Sequence, residues 1–362
     1  MIVRPLTEYC TLNMGQSPDS KTYNTQGKGL PFYQGNADFG ETHPITHVWC
    51  SAPVKVAEDG DILISVRAPI GAMNMAVERC CIGRGLAALT PIRNKCSKQF
   101  LYYALQSKVD SLIAQGTGST FKAISKKVLE ATCIPAYSTT EQEQIAETID
   151  HVDNTIAARR KQLALLDQLV KSRFIELFGE PELNPRDLPV LPWGAVFQTT
   201  TGKLDSNAMV ENGRYPFFTC AKESYKIDSY AFDCEALLLA GNNAAGIYDV
   251  KHYKGKFNAY QRTYVLRLMN EKWSYILFKR QLEDKLRYLQ SQSKGTNTRY
   301  LTLGILNELR FVVPPIAEQE QFAAFVEQTD KSKYYSSLSF RYCQAAANTY
   351  RQEWMTCRTS DF

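Results

Sequence analysis

The chain has 362 residues and a formal net charge of +5, with 44% hydrophobic and 22% charged residues, close to the averages for globular proteins. This length is enough for two domains that each bury a core. Since no apolar run approaches the roughly eighteen residues that cross a bilayer, and the first residues carry no secretory signal, we expect a cytoplasmic protein without a membrane span.

The mildly basic charge permits nucleic-acid binding but does not require it. Ten cysteines are scattered along the chain without a C-x-x-C pair, which favours reduced thiols over a disulfide framework. His43, His47 and Cys50 are the nearest approach to a metal cluster, and no second cluster completes a tetrahedral set. No metal site is therefore expected.

The first predicted elements lie in a globular domain at residues 1–139. Short apolar runs bounded by glycine, proline or charge predict strands at residues 61–66 and 86–90. A segment with aromatic residues around Tyr102 predicts a helix at residues 97–115. Strands and helices together indicate a mixed α/β (α+β) domain.

A long helix is predicted next, at residues 140–179. Thr140 and Glu143 stand in the S/T-x-x-E relation of a capping box, and Gly179 followed by Pro181 predicts the end of the helix. Apolar residues recur in alternating steps of four and three, broken only by Arg159 and Arg173, as in a coiled-coil heptad seam. The seam consists of Ile145, Ile149, Val152, Ile156, Leu163, Leu166, Val170 and Leu177. It spans roughly 50 Å, which predicts a partner helix.

The sequence E-Q-E-Q occurs at residues 141–144 and again at 318–321, an offset of 177 residues that also aligns Gly118 with Gly295 and Asp153 with Asp330. Upstream, residues 60–63 align more loosely with 234–237. This self-similarity indicates an internal duplication. The second globular domain is placed at residues 180–316, with strands at 236–240 and 263–268 and a helix at 272–291.

A second long helix is predicted at residues 317–357, followed by a tail at 358–362. Its seam is aromatic and interrupted by Thr329, Lys333 and Ser336. The apolar seam residues are Phe322, Val326, Phe340, Cys343, Ala347, Tyr350 and Trp354. We expect the two long helices to pair as an antiparallel coiled coil; the alternative is that each helix packs independently on its own domain.

No catalytic signature is convincing. Residues 241–246 have the glycine spacing of a phosphate-binding loop, but Ile247 stands where such a loop needs lysine. No G-x-G-x-x-G turn follows a strand, and the chain lacks the Asn-Pro-Pro-aromatic run that holds an amino group for methyl transfer. The sequence therefore predicts a binding protein and not an enzyme.

Polar and basic residues in the loops of both domains suit contact with DNA grooves and phosphates. The candidates are Gln16, Ser17, Arg67, Arg84, Ser119, Thr120, Lys122, Lys203, Asn242, Asn243, Arg262, Thr296, Asn297 and Arg299. Among them Gln16 and the three asparagines have the shape to read base edges. For each arginine the alternative is a surface salt bridge, and for the glycine-led loops at 116–122 and 294–299 it is helix capping.

The chain resembles the specificity subunits of type I restriction-modification systems over essentially its whole length. The run P-P-I-A-E-Q-E-Q-F at residues 314–322 is similar to the segment that introduces the long helices of that family, although the first copy lacks the double proline. Residues 15–18, G-Q-S-P, and 60–63, G-D-I-L, are similar to segments of its target-recognition domains.

The resemblance implies a DNA-reading subunit with two target-recognition domains and a helical spacer that also docks two methyltransferase subunits. Those partners would use S-adenosylmethionine, while this chain would bind no cofactor, and restriction subunits would complete the complex. Two alternatives remain open at this stage. One is the specificity subunit of a type II cutting-and-methylating complex, and the other is a scaffold that does not bind DNA.

Overall fold

The computed structural model describes residues 2–118, 122–181 and 183–355. They form two compact units. Unit 1 comprises Met1–Arg160 with Leu338–Phe362, and unit 2 comprises Lys161–Ser337. Each unit thus contains parts of both long helices, whereas the boundaries drawn from the sequence separate the helices from the globular domains.

Unit 1 is built on a four-stranded sheet with the order β2-β10-β7-β8, a five-stranded sheet with the order β3-β5-β4-β9-β6, and the pair β1-β11. Its strands are β1 (Val3–Pro5), β2 (Cys10–Met14), β3 (Tyr23–Asn24), β4 (Leu30–Tyr33), β5 (Trp49–Cys50), β6 (Val56–Ala57), β7 (Ile62–Ser65), β8 (Met73–Met75), β9 (Cys80–Ile82), β10 (Leu86–Pro91) and β11 (Cys133–Pro135). The helices that begin in this unit are α1 (Lys98–Gln106), α2 (Val109–Ala114), α3 (Lys126–Ala131) and α4 (Thr139–Phe178).

Unit 2 contains a six-stranded sheet with the order β13-β19-β16-β18-β14-β15 and the pairs β12-β21 and β17-β20. Its strands are β12 (Val190–Pro192), β13 (Phe197–Thr201), β14 (Tyr215–Phe218), β15 (Tyr225–Ile227), β16 (Phe232–Ala240), β17 (Asn242–Asn243), β18 (Val250–Ala259), β19 (Thr263–Leu268), β20 (Arg299–Tyr300) and β21 (Arg310–Val312). Its helices are α5 (Trp193–Val196), α6 (Tyr275–Asp284), α7 (Leu286–Gln292), α8 (Leu303–Asn307) and α9 (Ile316–Met355).

Both units bury an apolar core between sheet and helices. In unit 1, Ile62 and Ile64 of β7 pack with Phe100 and Leu101 of α1. In unit 2, Leu237 and Leu239 of β16 pack with residues that include Phe278 of α6. The mixed α/β class predicted from the sequence is confirmed.

The duplication is visible in strand register. In unit 1 Leu86 of β10 pairs with Ser65, and in unit 2 Thr263 of β19 pairs with Ala240. This register makes Ile62 equivalent to Leu237, so the alignment of residues 60–63 with 234–237 is wrong by one position. Because side chains alternate between the two faces of a strand, a slip of one residue exchanges buried and exposed positions.

The helices predicted at residues 97–115 and 272–291 are each broken in two. The breaks fall at equivalent positions, where Lys108 and Lys285 cap the second helix of each pair. The amide of Lys108 donates to the carbonyl of Leu105, three residues back, and the Ser107 hydroxyl donates to the carbonyl of Ala104 at 2.7 Å. Such local bonds end the regular i to i−4 ladder.

The first long helix begins one residue earlier than predicted, and Thr140 with Glu143 is not its capping pair. The carboxylate of Glu141 accepts from the Ser138 amide at 2.8 Å and from Ser138 Oγ at 2.7 Å, while the Glu141 amide donates back to Ser138 Oγ at 3.4 Å. Two S/T-x-x-E patterns overlap here, and the earlier one forms the capping box. These hydrogen bonds from Ser138 hold the pKa of Glu141 below its usual range. Gly179 ends the helix with a positive φ of 78°.

In unit 1 the first part of α4 runs antiparallel to the last part of α9. Tyr137, just before α4, donates to the carbonyl of Trp354 at 3.2 Å, and Asp153 accepts two bonds from Arg351 at 2.5 and 2.6 Å. Further along α4, the Arg160 guanidinium lies 5.8 Å from the centre of the Phe340 ring. As residue numbers rise along α4, the numbers of the contacting residues in α9 fall, as expected for antiparallel helices.

In unit 2 the last part of α4 runs antiparallel to the first part of α9. Lys333 lies 2.7 Å from Asp167, and Phe174 and Phe178 pack edge-on against Phe322 with ring centres 5.6 and 5.7 Å away. Burial along the seam is uneven. Ile145, Ile149, Val170 and Phe322 are buried, whereas Val152, Ile156, Leu163, Leu166 and Val326 are half-buried.

Within the described residues, no helix is long and apolar enough to span a membrane. The nine cysteines of this part of the chain are free thiols, and burial raises the pKa of Cys10, Cys80 and Cys96 to about 12. The same residues contain no group of three or more His, Cys, Asp or Glu side chains that could hold a metal ion.

Candidate nucleic-acid interface

In unit 1, three loops meet at one edge of the sheet formed by β2, β10 and β7. Gly15 follows β2, Gly85 precedes β10 and Val66 follows β7. The Gly15 amide donates to the carbonyl of Leu86 at 2.9 Å, and the Val66 amide donates to the carbonyl of Gly85 at 2.9 Å. The backbone therefore brings together segments that are far apart in the sequence.

At two of these positions only glycine fits, because another part of the backbone lies too close for a side chain. A Cβ at Gly15 would lie 2.2 Å from the carbonyl oxygen of Gly83, and one at Gly85 would lie 2.5 Å from the carbonyl oxygen of Gln34. Real Cβ atoms do not approach backbone oxygens so closely. Glycine here lets the loops pack against each other and fixes the direction of the residues beside it.

Gln16, Ser17 and Arg84 lie together at this edge. The Gln16 amide donates to the carbonyl of Ile82 at 3.0 Å, and the Arg84 amide donates to Ser17 Oγ at 3.3 Å. The side chains of Gln16 and Arg84 are exposed, and Ser17 is half-buried. The structure thus brings Arg84, which is far from Gln16 and Ser17 in the sequence, onto one surface with them.

Arg67 and Lys122 are neighbours on the same edge. Arg67 forms a β-bridge with Ala123, and the Ala68 amide donates to the carbonyl of Lys122 at 3.1 Å. Both cations are exposed. Two other predicted residues of this loop, Ser119 and Thr120, lie outside the described residues.

Unit 2 repeats this edge with different side chains. The Gly202 amide donates to the carbonyl of Thr263 at 3.4 Å, and the Gly241 amide donates to the carbonyl of Arg262 at 2.8 Å. These bonds are the counterparts of the two bonds made by Gly15 and Val66 in unit 1. They place Lys203, Arg262 and Asn242 at the second edge, with Lys203 and Arg262 exposed.

Asn242 and Asn243 form the short strand β17, paired with Tyr300 and Arg299 of β20, so residues 241–246 are not a phosphate-binding loop. Asn243 Oδ1 accepts from the amides of Ala245 at 2.9 Å and Ile247 at 3.3 Å. Reading an adenine edge requires both the oxygen and the nitrogen of the amide. Because its oxygen already holds the loop, Asn243 is poorly suited to the base-reading role predicted for it.

Arg299 is also held by the protein. Its Nη1 donates to the carbonyl of Gln290 at 3.2 Å, and the side chain is half-buried close to Gly246. Thr296 and Asn297, in the loop before it, are exposed. Of the three residues predicted in this segment, Thr296 and Asn297 are therefore more accessible than Arg299.

The remaining cations of the two edges have no carboxylate partner among the described residues. This set consists of Arg67, Arg84, Lys122, Lys203 and Arg262. Within the described residues, none of Arg67, Arg84 and Arg262 forms the surface salt bridge that was the alternative for the arginines. Unpaired cations on a rigid edge are suited to binding an anionic backbone.

Sequence reasoning missed Gln34, which follows β4 and contacts the first edge. Its side-chain amide lies beside Ser17, with Nε2 at 2.9 Å and Oε1 at 3.2 Å from Ser17 Oγ. Its own backbone amide donates to Asp38 Oδ2 at 2.6 Å. No local pattern marks Gln34, because its place depends on contacts with Gly83 and Gly85 about fifty residues away.

A family model described as the type I restriction modification DNA specificity domain matches residues 1–168 and 188–334. The chain is 41% identical over 164 residues to a protein named as the specificity subunit of the type I restriction enzyme MjaX of Methanocaldococcus jannaschii, a match covering 45% of this chain. It is 35% identical over 153 residues to the type I restriction enzyme EcoDI specificity subunit of Escherichia coli, covering 41% of this chain. These matches span only 39% and 33% of the two relatives.

The fold is shared with a solved structure. The crystal structure of the type I restriction-modification system S subunit from M. genitalium matches with a TM-score of 0.70, covering 99% of this chain and 96% of that chain. The two sequences are 17% identical. At this level of identity the similarity concerns the fold.

Proposed function

Because the chain belongs to the family of type I restriction modification DNA specificity domains, we propose that it recognises a two-part DNA sequence and catalyses no reaction itself. Each unit would read one half of an asymmetric target. The observation that carries this proposal is the duplicated sheet edge, which presents unpaired cations in both units on equivalent backbones. The two units carry different side chains on equivalent backbones, as expected if each unit recognises a different DNA sequence.

Within this proposal, Arg67 and Lys122 in unit 1 and Lys203 and Arg262 in unit 2 contact DNA phosphates. Such contacts fix the position of a protein on the duplex without reading its sequence. Each phosphate contact that is lost lowers the dependence of affinity on salt by about one unit of slope. Affinity would then fall equally for all sequences.

We propose that two methyltransferase subunits dock on the long helices, that S-adenosylmethionine is bound by those partners, and that restriction subunits complete the assembly. The helices keep large side chains exposed, which supports a docking role. On α9, Tyr334, Tyr335 and Tyr342 are 64%, 69% and 69% exposed, and on α4, Leu165 and Leu169 are 53% and 47% exposed.

A gel shift on duplex DNA, with and without a co-expressed methyltransferase subunit, tests the proposal. We expect salt-sensitive binding that becomes tighter and more sequence-specific with the partner, and methylated adenines mapped in cells should fall in one two-part sequence. Partner binding without DNA binding under either condition would instead favour a scaffold. Methylation and cutting residing in one partner polypeptide would indicate the type II complex.

We further propose that the helices set the gap between the two half-sites. A fixed helical spacer separates the readers in proportion to its length. Inserting one helical turn, about four residues, after the exposed Ala157 should change the gap and leave both half-sites the same. Ala157→Gln, which keeps the length, is the control. Altered half-sites with an unchanged gap would refute the spacer role.

A further inference from the structure

Arg84 of unit 1 and Gln261 of unit 2 occupy equivalent places on the duplicated framework. In unit 1 the Gly83 amide, just before Arg84, donates to the carbonyl of Tyr33 at 2.8 Å; in unit 2 the Tyr260 amide, just before Gln261, donates to the carbonyl of Phe218 at 2.9 Å. The bonds place both residues two positions before the equivalent strands β10 and β19.

The backbone at both positions is held firmly. The Arg84 amide donates to Ser17 Oγ at 3.3 Å, and the following residue, Gly85, donates to the carbonyl of Gln34 at 3.1 Å. In unit 2 the Gln261 amide donates to the carbonyl of Leu204 at 2.9 Å. A side chain on a rigid backbone loses less conformational freedom when it binds, and its direction is set in advance.

The two side chains themselves are exposed and largely unengaged. Arg84 has no carboxylate partner among the described residues, and the nearby Asp38 carboxylate already accepts from two backbone amides, at 2.6 and 3.2 Å. Gln261 Nε2 makes one long contact of 3.5 Å with Asp205. The planar groups of arginine and glutamine are therefore free to bind.

We infer that residues 84 and 261 are the equivalent base-reading positions of the two units, with Arg84 reading a guanine and Gln261 an adenine in the major groove. An arginine fork matches O6 and N7 of guanine, and a glutamine amide matches N6 and N7 of adenine. This inference rests on the proposed function. Ser17 and Gln34 act as positioning residues that hold the Arg84 segment.

Reciprocal substitutions in the full chain, co-expressed with its methyltransferase partner, test the inference on a library of duplexes with randomised half-sites. Arg84→Gln should lower the preference for guanine at one base pair of one half-site by roughly 10- to 100-fold and raise that for adenine. Gln261→Arg should do the reverse at one base pair of the other half-site. In each variant the untouched half-site should be selected as before.

Two further variants separate base reading from charge and from misfolding. Arg84→Lys keeps the charge but loses the bidentate fork, so we expect the guanine preference to fall while the salt dependence stays unchanged. Arg93→Gln, an exposed arginine two residues beyond the other end of β10, should change neither. A uniform loss of affinity in Arg84→Gln with a lower salt slope would identify a phosphate contact and overturn the inference.

The result for the unmodified chain distinguishes a failure of the proposed function from a failure of the assignment of residues 84 and 261. If the unmodified complex selects no sequence in either half-site, the proposed function itself fails. If it selects a two-part sequence while Arg84→Gln and Gln261→Arg leave both base preferences intact, the proposed function stands and the assignment of these two positions is wrong.

Discussion

The first glutamine of each E-Q-E-Q segment is buried and the second is exposed, which gives a sharp prediction about stability. Gln142 is 0% exposed. Its Oε1 accepts from the Ser97 amide at 2.9 Å, and its Nε2 donates to the carbonyls of Lys95 and Tyr137 at 3.1 and 2.9 Å. One side chain thus ties the start of α4 to the segment that precedes α1.

Replacing Gln142 by alanine removes three hydrogen bonds from a buried side chain to backbone groups. At about 1 kcal/mol for each bond, with about 0.8 kcal/mol for the one buried methylene that is lost, the free energy of unfolding should fall by about 3–5 kcal/mol. For a unit of this size, each kcal/mol lowers the melting temperature by about 2–4 °C. We expect a fall of roughly 10 °C and faster hydrogen exchange at the Ser97 amide.

The duplication supplies internal comparisons. Gln319 is also 0% exposed but makes two such bonds, to the Ser274 amide at 3.0 Å and the Pro314 carbonyl at 2.8 Å, so Gln319→Ala should cost about 1 kcal/mol less. The exposed Gln144 and Gln321 are matched controls, whose alanine variants should stay within about 0.5 kcal/mol of the parent. Equal destabilisation by Gln142→Ala and Gln144→Ala in thermal melts would refute the reasoning.

Three further predictions concern unit 2. Gly202→Ala should prevent the close approach of the residue after β13 to the carbonyl of Ala259, because the new Cβ would lie 1.8 Å from that oxygen. Soluble yield and melting temperature should fall, and a native-like melt would contradict this. Phe322→Ala should lower the free energy of unfolding by about 3–5 kcal/mol, because it leaves a cavity in a buried aromatic cluster; denaturant titration measures this loss. A loss under 1 kcal/mol would show that the neighbouring rings move to fill the cavity. Hydrogen bonds from Arg186 lower the pKa of Glu318, so the stability that Glu318→Gln removes should be full at pH 7 and disappear as the pH falls below about 4; an unchanged difference at pH 3 would exclude the ion pair as its source.

The long elements could be predicted because their signals are local and repeated. Strand β19 was predicted at its observed bounds, since Thr263–Leu268 is a short apolar run between turn residues. On the predicted seam of α9, Thr329 and Ser336 are 5% and 7% exposed, whereas Tyr350 is 38% exposed. Thr329 can be buried because its Oγ1 donates to the Phe325 carbonyl within the helix, at 2.9 Å.

The five-stranded sheet of unit 1 could not be predicted. Its strands β3 and β5 are two residues long, too short to show a period of two. Their pairing joins Tyr23 to Cys50, a contact between distant parts of the chain that no local pattern indicates. The role of Gln34 could not be predicted for the same reason, because its neighbours Ser17 and Gly83 come from two other loops.

The side chains at the two proposed base-reading positions differ between the units, while one backbone bond just before each position is shared. Those bonds join backbone amides to carbonyls, as in Gly83 with Tyr33 and Tyr260 with Phe218, so they do not depend on which side chain follows. A substitution at Arg84 or Gln261 leaves no buried group without a partner, and its effect on stability should be small. Under the proposed function, the framework can therefore stay fixed while recognition changes, because only side chains at the edge need to differ.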